Sequence, residues 1–155
     1  MTYYRERLWP SVWIYLATAL VVPASILVFM PINQLVGVLT GVALYLGIVG
    51  LLTATAPLIQ VTEHQLVAGR ASLPLSLIGE TSAFQGDEAT MERGQRLDAR
   101  AWLLIRGWID PVVRVTVTDD SDPAPYWLVS SRDPDSLTAA VSAAKLAGSG
   151  QNSSL

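Results

Sequence analysis

The sequence predicts an α+β membrane protein: a two-helix transmembrane hairpin, then a small antiparallel β-barrel or sandwich with one C-terminal helix. Three observations predict it. All residues from Leu8 to Thr62 are uncharged, 55 in a row, in a chain of 155. From Leu58 onward the hydrophobic period changes to two, the strand period. Near the end, Asp133-Pro134 opens a segment with apolar residues at helical spacing.

A helix rises about 1.5 Å per residue, so roughly 20 apolar residues cross a bilayer core. The uncharged stretch holds two such spans, about 8–30 and 35–57, within a hairpin domain of 8–59. Met30-Pro31-Ile32-Asn33-Gln34 divides them, since proline stops a helix and two amides make a polar tip. A cleaved leader is the competing reading of the first span and is not expected. Its apolar run continues past the Ala17-Thr18-Ala19 triplet, and Pro10 and three aromatics interrupt it.

Lysine and arginine near span ends favour the cytoplasm. Arg5 and Arg7 precede the first span, Arg70 follows the second, and the turn between them has none. Both termini are therefore expected in the cytoplasm, with residues 1–7 as a short N-terminal tail. Tyr3, Tyr4, Trp9, Trp13 and Tyr15 crowd that end, as an interfacial aromatic belt does. Gly37 and Gly41 form a G-x-x-x-G pair that lets helices approach closely. The expected contact is the first span, around Ala17, Ala24 or the notch at Pro23; a homodimer through the second span is the alternative. No ionisable residue lies inside either span, which argues against a pump or transporter.

The β domain is expected over 60–147. Ile59 and Val61, then Leu66 and Val67, flank a Thr62-Glu63-His64-Gln65 turn and read as a hairpin. Gly69 supplies a permissive turn before a strand through Leu73-Pro74-Leu75. Leu77-Ile78-Gly79 and Thr81 to Phe84 are expected to add a fourth short strand. Gln85 to Arg100 is polar, with Gly86 and Gly94 in it, and reads as a long loop with room for one helical turn. Trp102 to Arg106 reads as a buried strand. In Val112 to Thr118, Val113, Val115 and Val117 should face in, and Arg114, Thr116 and Thr118 out. Asp119 to Pro123 makes a turn, and Tyr126 to Ser131 the last strand. Asp133 caps a helix over 134–147 with Leu137, Ala140, Val141 and Ala144 on its apolar face. Gly148 should end it, leaving 148–155 as a disordered tail.

This strand order with one closing helix resembles the pleckstrin-homology-like β-barrel. The cadence strand–turn–strand–Gly69-Arg70–strand–Leu73-Pro74-Leu75, then Ile78-Gly79, resembles its bacterial membrane-tethered members. The chain over roughly 3–145 is also similar to an actinobacterial two-span membrane family, domain of unknown function 3093. The residues that carry this are Tyr4-Arg5-Glu6-Arg7-Leu8-Trp9-Pro10, Ala68-Gly69-Arg70-Ala71, Ile78-Gly79-Glu80 and Pro125-Tyr126-Trp127-Leu128-Val129-Ser130-Ser131-Arg132. That family has no established activity, so the resemblance implies architecture and an inner-membrane location, and no catalytic residue.

Charge and composition narrow the function. The net charge is −3, which gives no reason to bind nucleic acid. There are no cysteines, so thiolate metal sites and cysteine nucleophiles are excluded. His64 is the sole histidine and sits in a polar turn. Asp119, Asp120 and Asp122 lack the spacing of a calcium loop. Asp87, Glu88, Glu92, Arg93 and Arg96 read as a solvated charge run. Trp102, Trp108, Tyr126 and Trp127 read as core. No catalytic residue, cofactor or metal is expected. The leading expectation is a membrane-tethered interaction module that docks an unidentified membrane or cytoplasmic protein partner. The alternative is recognition of membrane lipids, or sensing of membrane stress. Of the five arginines weighed for it (Arg70, Arg100, Arg106, Arg114 and Arg132), Arg70, Arg106 and Arg132 are the candidate contacts, because guanidinium grips phosphate in a bidentate fashion. Phosphoinositide-reading members of the resembling fold carry a basic first hairpin, and Thr62-Glu63-His64-Gln65 does not.

Overall fold

The computed structural model describes the backbone of residues 1–152 and the side chains of residues 1–148. The chain forms two compact units, one of Trp9–Ala56 and one of Met1–Leu8 with the chain from Pro57 onward.

The first unit is the apolar hairpin. Its first arm is two helices, α1 (Val12–Ala19) and α2 (Val21–Phe29), and its second arm is α3 (Gln34–Ala54). Pro23 has no N–H, so the carbonyl of Ala19 loses its usual partner and the arm is interrupted at Leu20. There the Leu20 N–H turns to the Ala17 carbonyl at 3.2 Å. Asn33 is the N-cap of α3, its Oδ1 accepting from Leu35 N at 2.9 Å. Hydroxyls are satisfied along their own helices: Thr18 donates to the Ile14 carbonyl, Ser25 to Val21 and Thr53 to Val49. The 18 residues Val12–Phe29 and the 21 residues Gln34–Ala54 are long and apolar enough to cross a membrane.

Gly37 and Gly41 lie against α2. A Cβ on Gly37 would sit 3.0 Å from the Ile26 Cα, and one on Gly41 would sit 2.9 Å from the Val22 Cα. The residues opposite are thus Val22, Ser25, Ile26 and Phe29, rather than Ala17, Ala24 or Pro23. Glycine is required because backbone meets backbone. Gly47 and Gly50 have no such neighbour within 4 Å.

The second unit contains two four-stranded sheets. The first has the order β1 (Thr2–Arg7), β2 (Leu58–Thr62), β3 (Gln65–Ala68), β4 (Ala71–Pro74), all antiparallel. Residues 2–7, expected as a tail, form its outer strand in register Tyr4↔Val61 and Arg7↔Leu58. Thr62 closes the β2–β3 turn by accepting from Gln65 N at 3.2 Å. Gly69, at φ +62, makes the β3–β4 turn. Pro74 ends β4 and a 3₁₀ turn, Leu75–Leu77, leads into the second sheet. Its order is β5 (Ile78–Phe84), β7 (Val112–Val117), β8 (Tyr126–Ser130), β6 (Trp102–Leu104). The sheets do not join, so the expected closed barrel is replaced by an open pair.

Two further expectations are corrected here. β6 is not an antiparallel strand: it runs parallel to β8, with Leu103 exposed on this outer strand. Gln85–Arg100 is more than a loop, because Gly86–Arg93 forms helix α4. Asp87 and Glu88 in its first turn and Arg93 in its last suit the helix dipole. Below α4, Ala89 packs with Val112, Tyr126 and Leu128 in a second apolar cluster. Glu92 is therefore not solvated. It is buried and paired with Arg114 and, at 3.4 Å, with Arg96. Arg114 in turn faces inward under α4, its guanidinium 4.5 Å from the Tyr126 ring.

The main core lies on the other face. Leu8, Ile59, Val61, Leu66, Leu73, Ile78, Val113, Val115 and Val129 pack with the final helix, α5 (Pro134–Asn152). Leu137, Val141 and Ala144 of α5 are fully buried. Asp133 caps it, accepting from Ser136 N at 3.1 Å. Gly148 does not end the helix, because its backbone keeps the helical sign of φ and α5 continues to Asn152. Of the expected tail, 148–152 is helical and 153–155 lies outside the described residues.

The glycine contacts give a direct test. Gly41→Ala forces a methyl into the α2 backbone and should destabilise the hairpin by about 1–3 kcal/mol. Gly47→Ala and Gly50→Ala should be neutral or mildly stabilising, since nothing opposes the methyl and alanine favours a helix. Thermal unfolding of the full chain in detergent measures all three.

Candidate functional site

The chain leaves the β unit at Leu8 and returns at Pro57. These two points are adjacent, because Leu8 N donates to the Pro57 carbonyl at 3.0 Å. Around them the fold gathers a polar cluster and a set of arginines.

Glu6 organises the cluster. Its carboxylate accepts from Tyr4 Oη at 2.8 Å, from Ser131 Oγ at 2.7 Å and from the Arg132 backbone N at 3.0 Å. The Arg132 guanidinium stands 3.7 Å from Glu6 and donates to the Arg7 carbonyl at 3.4 Å. Asp133 N donates to Ser131 Oγ at 3.2 Å. Strand β1 is thereby fastened to the β8–α5 connection. Burial first, and then the neighbouring Glu6 carboxylate, push the Tyr4 phenol from 10.0 up to about 12, with the Ser131 hydroxyl 3.2 Å away acting in the opposite sense. Asp133 is shifted the other way: Ser136 donates to it and holds its carboxyl below the ordinary range.

The three arginines singled out from sequence come to this end. Arg70 is exposed and follows Gly69, whose N–H donates to the Leu58 carbonyl at 2.7 Å. A Cβ on Gly69 would lie 3.6 Å from Pro57 and 3.4 Å from Leu104. Arg106 comes two residues after Leu104, and its N–H donates to Ser130 Oγ at 3.1 Å. Its guanidinium lies 6.0 Å from the Trp108 ring. Arg132 is exposed beside Arg7, also exposed. The other two arginines weighed are elsewhere. Arg100 is exposed and pairs with Asp98 at 3.2 Å, and Arg114 is engaged by Glu92.

The remaining candidates are dispersed. His64 is exposed at the β2–β3 turn, and its carbonyl accepts from Leu75 N. Asp119 accepts from Ser121 N and Oγ, which lowers its carboxyl pKa, and Asp122 accepts from Ala124 N. Both cap their own turn. Among the described residues no group of three or more metal-ligating side chains comes together.

A family model described as protein of unknown function (DUF3093) matches residues 3–141. The chain belongs to this family. No match was found among curated proteins or among solved structures. Two of the segments that carry the resemblance, Tyr4–Pro10 and Pro125–Arg132, are those that meet at Glu6 and Ser131. The sequence alone does not show that meeting, nor the burial of Glu92. Glu6 and Ser131 stand 125 residues apart, and no local pattern links them.

Tyr4 reports on the cluster. The wild-type minus Tyr4→Phe absorbance difference should titrate near pH 12 rather than 10. A raised phenol pKa favours the protonated folded state. Its contribution to stability is therefore complete below about pH 10 and lost as pH rises through 12.

Proposed function

We propose that this protein is a membrane-tethered β module whose arginine-bearing end engages anionic lipid headgroups. The observation that carries this reading is the gathering of Arg7, Arg70, Arg106 and Arg132 around the two points, Leu8 and Pro57, where the chain passes to and from the apolar helices. The helices support the bilayer as their solvent. Only 6% and 11% of their apolar windows are buried, where a core helix of a soluble protein would be mostly covered. Arginines close to Leu8 and Pro57, where the chain passes to and from the apolar helices, are suited to a headgroup phosphate, which can accept from the guanidinium fork.

Arg5, Arg7 and Arg70 near the span ends, and no lysine or arginine in the Met30–Gln34 turn, favour a cytoplasmic β unit, with both termini inside the cell and the protein in the inner membrane. A C-terminal reporter active only outside the cytoplasm should be silent, and a signal from it would reverse the orientation.

The headgroup reading is tested with the full chain in nanodiscs of phosphatidylglycerol mixed with phosphatidylcholine. Each arginine at an anionic surface contributes about 1 kcal/mol. Arg70→Glu, an exposed site, should weaken phosphatidylglycerol enrichment several-fold, and combining it with Arg106→Glu and Arg132→Glu should weaken it by about 100-fold. Unchanged enrichment would overturn the reading. A stoichiometric protein recovered after in-cell crosslinking, with no lipid preference, would replace it with docking of a protein partner.

A further inference from the structure

A second site lies at the other end of the β unit. Strand β2 runs from Leu58, beside the crossing points, to Thr62, a distance of roughly 13 Å. At that far end a groove of about 590 Å³ opens between the β2–β3 turn, the 3₁₀ turn, the start of β5 and helix α5. This is the size of a small-molecule site. Leu75 and Ile78 are its apolar lining residues that keep some exposed surface, and His64, Thr118 and Lys145 line it with polar atoms.

Lys145 decides the chemistry. Its ammonium is part-buried and donates to the Ile78 carbonyl at 2.6 Å and the Gly79 carbonyl at 3.0 Å. An ammonium has three donors, so one is left over. Neutral carbonyls fix its position without cancelling its charge, and among the described residues it makes no ion pair. The acid in the same wall, Glu63, is engaged 2.8 Å from the Met1 amino group, which holds its pKa below the ordinary value. The approach of β5 is specific too: a Cβ on Gly79 would lie 3.0 Å from Thr118 Cγ2, so glycine lets the Gly79 carbonyl reach its place. A positioned cation with a spare donor, beside an apolar lining, is complementary to an anion with an apolar body.

We propose that this groove binds a small organic anion, its carboxylate or phosphate against Lys145 and its apolar part against Leu75 and Ile78. The site is independent of the arginine end.

Saturation-transfer NMR on the full chain in phosphatidylcholine nanodiscs tests it, with benzoate, phenyl phosphate and neutral benzamide as probes. Transfer to one or both anions is expected, at least ten-fold stronger than to benzamide. Lys145→Met should abolish it, while the Arg70→Glu, Arg106→Glu, Arg132→Glu chain should keep it. Lys145→Met also strips two carbonyls of their donor, so Ser76→Trp serves as a second variant: this exposed rim position is not in the core, and the indole fills the groove. The stronger anion identifies the headgroup as carboxylate or phosphate. Equal transfer to benzamide, no transfer to either anion, or full transfer in folded Lys145→Met or Ser76→Trp would overturn the proposal.

Discussion

The pairing of Thr2–Arg7 with Leu58–Thr62 is the constraint on which the rest of the structure depends. It brings the two ends of the apolar hairpin to one place, Leu8 beside Pro57. It also makes the β unit discontinuous, because one strand of its first sheet is synthesised before the helices and three after them. The Glu6 carboxylate reinforces the pairing from the side. Its bonds to Tyr4, Ser131 and the Arg132 backbone tie β1 to the last strand and to the start of α5. Charge-assisted bonds of this kind are stronger than neutral ones. The same bonds set Arg132 beside Arg7, so the packing that completes the sheet also positions part of the arginine set.

The second sheet shows how a short, polar helix can still cover a core. Helix α4 buries only Ala89 and Glu92. Burying a carboxylate is costly unless it is paired, and Arg114 and Arg96 supply the pairing. Arg114 spreads its guanidinium over Tyr126 and Phe84, which covers apolar surface as well as meeting charge. All five residues of β8 are consequently buried, with α5 packing on one face of the sheet and α4 on the other. The cations of the unit are also separated: Arg7 and Arg132 lie beside the Leu8 end of β1, and Lys145 lines the groove with His64 and Thr118.

Much of the local structure was legible beforehand. The hairpin arms, the β2–β3 turn, the Gly69 turn and the Asp133 cap each rest on signals within a few residues: continuous apolarity, a period of two, a permissive glycine and a capping carboxylate. What failed, failed for non-local reasons. Residues 2–7 carry no strong strand pattern and become a strand because β2 offers an edge. Trp102–Leu104 reads the same in either direction, and only its neighbour β8 makes it parallel. Arg114 alternates with valines and was expected outside, until α4 brought Glu92 to it. Gly148 carries a stop signal, but the helix runs through it.

The sequence by itself determined that this chain has two apolar arms, a β-rich remainder and a final capped helix, because hydropathy, periodicity and capping act over one or two turns of chain. It also singled out Arg70, Arg106 and Arg132 by their chemistry. Only the tertiary structure decided that β1 closes the first sheet, that Gly37 and Gly41 meet Val22 and Ile26, and that the two sheets stay open. It also decided that Glu6 meets Ser131 across 125 residues. Those outcomes depend on which surfaces find each other when distant segments pack.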